Sequence, residues 1–157
     1  MAAEVAEDQL AQSQEEQVDE RRRQASRITF YQEGDKTVVA NRSFDPAGIW
    51  ISSGASASVP AKGLNYWWAG IIPPCVKAVF PFEGFQPRDR DKSLDKWKFE
   101  RWFVKGIEIV DANGRSWQRN LGQPLVELDG PGHISNPVLP VLASDQVTFV
   151  ELEQCGT

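Results

Sequence analysis

The chain has 157 residues, of which 41% are hydrophobic, and carries a formal net charge of -5 from 17 basic and 22 acidic side chains. That length supports one proper hydrophobic core with an appendage, and two domains would be cramped. The acidic balance excludes a surface built to neutralise phosphates, so no nucleic-acid partner is expected.

No stretch approaches the roughly 20 consecutive apolar residues that cross a bilayer, and the first 27 residues are too charged for a secretory signal. The expectation is a soluble, cytoplasmic protein with no membrane insertion. Cys75, Cys155 and the single His133 supply neither a zinc-ligand set nor a disulfide framework. In a cytoplasm the two thiols are expected to be reduced, although one bridge between them is sterically open. No metal and no cofactor are expected.

From Ala2 to Arg27 there is no Gly, Pro or aromatic residue, and Ala, Glu, Gln, Arg and Leu dominate. This predicts one helix over residues 1–26, with a β domain over 27–157. Its charge order, Glu4, Glu7 and Asp8 early and Arg21, Arg22 and Arg23 late, suits the helix dipole. Ala11, Val18 and Ala25 recur every seven residues, flanked by Leu10 and Ile28, but Gln14 and Arg21 interrupt the seam. The pattern is a weak coiled coil at most, or a solvated helix that docks on a partner through Leu10, Val18 and Ala25.

After residue 27 the hydrophobic period becomes two. Strands are predicted around 28–32 and 37–41, joined at "EGDK", and around 49–52. Another follows at "VKAVFP", where Pro81 marks an edge or an end. The stretch "KWKFERWFVKGIEIVDANGRSWQRN" carries two more, closed into a hairpin at Asp111-Ala112-Asn113-Gly114, and "PLVEL" and "VTFVELE" complete the set. Seven or eight short strands with regular turn signals predict an antiparallel sandwich or barrel. On the returning strand Trp117 falls between Arg115 and Arg119 on one face, which predicts a core-rim tryptophan covered by arginine stems.

Three motifs carry a resemblance. They are Arg22, Gln24, Ala25 and Arg27 (R-x-Q-A-x-R), Val39, Asn41 and Ser43 (V-x-N-x-S), and Asp111, Gly114, Trp117 and Arg119 (D-x-x-G-x-x-W-x-R). In this order the chain resembles a widespread group of uncharacterised actinobacterial proteins in which a charged helix leads into a small sandwich. The resemblance covers about the first 45 residues and a later 22. It implies a mainly β, immunoglobulin-like antiparallel β-sandwich with an N-terminal α-helix, and no activity. Many members of that group carry a membrane anchor before the sandwich, which this sequence does not show. Its tryptophan-rich middle has no counterpart there.

Candidate chemistry is sparse. Asp89, Asp91, Ser93, Asp95 and Glu100 fall at calcium-loop spacing, but Leu94 replaces the required Gly and Lys92, Lys96 and Lys98 dilute the field, so a solvated loop is the stronger reading. His133 lies in "DGPGHISNP" with no nucleophile elbow nearby, and no Gly-rich phosphate cradle is present. Tyr66, Trp67 and Trp68 are consecutive, so they cannot share one strand face, and at least one must meet solvent, a neighbour or a partner. The expected function is a non-enzymatic protein-interaction or assembly module, contacting another chain or itself through Tyr66, Trp67, Trp68, Leu10, Val18 and Ala25. The alternatives are a sandwich that binds carbohydrate or a small ligand through exposed tryptophans, and a structural subunit of a larger particle, including a viral one.

Overall fold

In the computed structural model, residues 2–54, 65–81, 103–131, 138–139 and 147–156 are described. Among these described residues one helix, α1 (Ala2–Ser26), precedes ten strands. They are β1 (Ile28–Glu33), β2 (Lys36–Asn41), β3 (Ala47–Gly54), β4 (Asn65–Ile72), β5 (Val76–Pro81), β6 (Phe103–Val110), β7 (Ser116–Asn120), β8 (Val126–Glu127), β9 (Val138–Leu139) and β10 (Thr148–Glu151). The fold is mainly β with an N-terminal helix, as the patterning predicts.

The strands form two sheets, ordered β1-β2-β5-β10 and β8-β7-β6-β3-β4-β9. Among the described residues no ladder joins them, and the two-sheet architecture is that of a sandwich. Among the described residues all pairings are antiparallel except that of β4 with β9, which is parallel and does not follow from the sequence pattern. Inward residues of both sheets share one core. Ile28, Val39, Ala78 and Phe80 come from the first sheet, and Ile49, Ile51, Trp67, Ile107, Ile109 and Trp117 from the second. The alternation of β6 explains the choice of face, since Ile107 and Ile109 are buried opposite Arg119 and Trp117 of β7.

Two hairpins are close to expectation. β1 and β2 pair from Glu33 against Lys36, with Gly34 in the left-handed region at φ 64°. At the β6–β7 turn only Gly114 takes a positive φ, at 78°. Gly114 N–H donates to the Asp111 carbonyl at 3.0 Å, and Asp111 N–H to the Arg115 carbonyl at 2.9 Å. This is a three-residue loop in which Asn113 stays in ordinary territory and Gly114 alone turns the chain. Pro81 ends β5, a central strand, where its missing N–H costs little.

The thiol expectation is corrected. Cys75 and Cys155 are bridged, with Cα atoms 5.5 Å apart. The bridge joins the start of β5 to the C-terminal tail, which two backbone bonds also hold: Leu152 N–H to the Cys75 carbonyl at 3.0 Å, and Gly156 N–H to that of Arg42 at 2.7 Å. Cys75 follows Pro73-Pro74 and sits at φ 60°. The polypeptide reverses there, and the side chain meets the returning tail.

Candidate functional site

The three motifs behind the resemblance, scattered over a hundred residues of sequence, meet at the root of α1. Gln24 bridges two loops. Its Nε2 donates to the carbonyls of Asp45 (3.3 Å) and Pro46 (3.0 Å), and its Oε1 accepts from Ala112 N–H at 2.8 Å. Ala25 is fully buried next to it. The Arg119 guanidinium donates to the carbonyls of Ala25 (3.5 Å) and Ser26 (3.3 Å), occupying acceptors that the end of a helix leaves open. Burial, and secondarily the charge of Arg22, lower the Arg119 pKa from its ordinary value. Arg22 in turn donates to the Leu125 carbonyl at 3.4 Å.

The other two motifs hold the loops that Gln24 grips. Asn41, fully buried, places Nδ2 2.9 Å from the Asp45 carbonyl and 3.1 Å from those of Ile72 and Pro73. Its Oδ1 accepts from Ser43 N–H at 3.0 Å. Asp111 is more heavily used still. Its Oδ1 accepts the N–H groups of Asn113 and Arg115, and its Oδ2 accepts Trp117 Nε1–H, all at 2.9 Å. A single buried carboxylate thus shapes the turn and anchors the core indole. Asp111→Ala is expected to destabilise the protein by about 2 to 3 kcal/mol, because three donors lose a charged acceptor. Urea denaturation measures this, and an effect under about 0.5 kcal/mol would dismiss Asp111 as the organiser of the turn.

Around this root lie two open clefts that share Arg21. One, of about 550 Å³, is lined among others by Arg21, Arg23, Gln24, Arg27 and Phe44. The other, of about 610 Å³, is lined by Arg21, Arg115, Glu127 and Asp129. Arg27 stands 6.0 Å over the ring of Phe44, a side chain left 69% exposed. Arg21 and Arg115 both approach Glu127, at 3.8 and 3.9 Å, and being exposed these ion pairs contribute little. Phe44 drew no notice in the sequence, where it is a lone aromatic between Ser43 and Asp45. In the sequence Gln24 stands out only as part of the R-x-Q-A-x-R motif, and Asp111 as the start of the predicted hairpin turn and of D-x-x-G-x-x-W-x-R.

The six predicted contact residues divide. Leu10 and Val18 are exposed, at 60% and 48%. Ala25 and Trp67 are fully buried in the core of their own chain, and Tyr66 is buried too, so these three are not open contact surface. The parity of β4 is the reason. Trp67, opposite Ile51, faces inward, while Tyr66 and Trp68 face the outer side of the same sheet. There Trp68 packs against its cross-strand neighbour Trp50, with ring centroids 4.9 Å apart and planes tilted by 49°. Its indole also lies over Gly48, where a Cβ would come within 3.1 Å of it. Burial first, and the charge of Glu108 second, raise the Tyr66 pKa.

Among the described residues no group of His, Cys, Asp and Glu is placed to hold a metal ion, and no helix is long and apolar enough to cross a membrane. The calcium-spaced segment from Asp89 to Glu100 and His133 lie outside the described residues. Comparison with known protein families, with curated proteins and with solved structures finds no match to this chain.

Proposed function

We propose that this protein is a non-enzymatic interaction or assembly module: a β-sandwich whose N-terminal helix docks on another chain or on a second copy. One observation carries this reading. Residues 2–20 of α1 are exposed along their whole length, about 28 Å of helix, while the contacts with the sandwich come from residues 21–26. A solvated helix of this kind is marginal by itself and gains its stability from packing. Leu10 and Val18 offer a narrow apolar stripe for it.

The test uses the full chain carrying Leu10→Asp and Val18→Asp, with helix content followed by circular dichroism. Purified from its native cells, the wild-type protein should bring down a defined partner or itself, and the double variant should lose that association. Equal capture by both forms would refute the docking role of α1.

The strand order supports an immunoglobulin-like relation. β1, β2 and β5 stand where strands A, B and E stand in such sandwiches, and β3, β4, β6 and β7 where C, C′, F and G do. β10 takes the place that D occupies, and the Cys75–Cys155 bridge is not the inter-sheet one of antibody domains. The relation to the actinobacterial group is part of this proposal and rests on the three shared motifs, which in this chain converge on the junction between helix and sandwich. On compartment, the bridge favours an oxidising one over the cytoplasm that composition suggests.

A second reading rests on the outer-face pair Trp50 and Trp68. Half-buried indoles there suit stacking on a sugar ring or small ligand, and a shift in tryptophan fluorescence on adding a glycan would favour it. A structural subunit of a larger particle, including a viral one, is a form of the first reading.

A further inference from the structure

We infer that α1 pairs antiparallel with the α1 of a second copy of this chain, the two helices crossing at Gln14. This deepens the docking role proposed above and rests on it, by committing that role to one occupant. At 100° per residue, positions 7, 10, 14, 18 and 21 fall within an arc of about 80°, so Glu7, Leu10, Gln14, Val18 and Arg21 form one stripe. The stripe is self-complementary when reversed about Gln14. Glu7 then meets Arg21 of the second copy, Leu10 meets Val18, and Gln14 meets its own counterpart.

Charge decides the direction. A parallel pair would set Glu7 against Glu7 and Arg21 against Arg21, whereas the antiparallel pair opposes unlike charges twice. The remaining acids of the helix interior, Asp8, Glu15, Glu16, Asp19 and Glu20, lie outside the stripe and so do not oppose the pairing.

With only Leu10 and Val18 to bury from each chain, the association is weak and salt-sensitive. Sedimentation equilibrium of the full chain at low salt, up to about 500 µM, should show a monomer–dimer equilibrium. Glu7→Arg and Arg21→Glu should each weaken it about tenfold, and the double variant, which restores both pairs with reversed sign, should return to near wild-type affinity. A wild-type chain that stays monomeric, single variants that match it, or a double variant no tighter than the singles would overturn the inference. A monomer that still captures a different chain through Leu10 and Val18 would leave the proposed function standing. Loss of both would remove it as well.

Discussion

Trp67→Ala should cost about 4 kcal/mol, and Trp68→Ala about 1 kcal/mol, although the two residues are neighbours in sequence. Trp67 is fully buried between the sheets, beside Ile51 and among the largest side chains of the core, so truncation leaves a cavity that rigid strands cannot close. Trp68 is half-buried on the outer face against Trp50 and Gly48, and solvent can fill the space it vacates. Urea denaturation of both variants at matched slope gives the two values directly. Equal costs would mean that the parity of β4 is wrong. The contrast also decides how the aromatic face should be tested, because a double Trp67/Trp68 variant would lose function by unfolding. Trp68→Ala and Trp50→Ala are the informative changes for glycan stacking.

Replacing Cys75 and Cys155 together by serine should destabilise the protein by about 4 kcal/mol. A bridge between residues 80 apart in sequence removes much of the unfolded chain's freedom, and that restriction grows with the logarithm of the loop it closes. For a chain of this size the change corresponds to a fall of about 10 °C in Tm. Thermal melts with and without reductant provide the check. Reductant should lower the wild-type Tm toward that of the serine variant and leave the variant unchanged. A wild-type Tm insensitive to reductant, with both thiols open to alkylation before denaturation, would show that the pair is not bridged. Alkylating the protein as its native cells are lysed carries the same question into the compartment. Protection of both cysteines supports an oxidising location, and full labelling returns the protein to the cytoplasm.

Both predictions fall where sequence reasoning is weakest. Consecutive aromatics such as Tyr66, Trp67 and Trp68 declare that they alternate, but not which parity is inward. That depends on which side of β4 the other sheet covers, and on the irregularity near Ile49, Trp50 and Gly70 that shifts the pairing by a residue. The cysteines present the same difficulty at longer range. Nothing local to "PPCVK" or "LEQCGT" indicates that β10 returns beside β5.

The candidate site was legible as letters and not as a place. Asp111 before an Asn-Gly turn, and Asn41 two residues before Ser43, are local signals for side chains that hydrogen-bond nearby backbone. Those bonds are present. The grip of Gln24 on Asp45, Pro46 and Ala112, and of Arg119 on the end of α1, spans too much sequence to be read from either partner. Pattern alone likewise could not separate Ala25, buried at the root, from Leu10 and Val18, exposed along the shaft of the same seam.

By itself the sequence determined the features that arise from contacts between near neighbours. These are an N-terminal helix from an unbroken run of helix formers, strands from period-two alternation, and hairpins at "EGDK" and "DANG", where short-range sterics and hydrogen bonds suffice. Only the tertiary structure decided the sheet order, the parallel pairing of β4 with β9, the inward tryptophan, the disulfide and the helix held at its C-terminal end alone. Each of these depends on which surfaces remain to be buried once the local elements have formed. That is a property of the whole chain's packing, and no window of residues carries it.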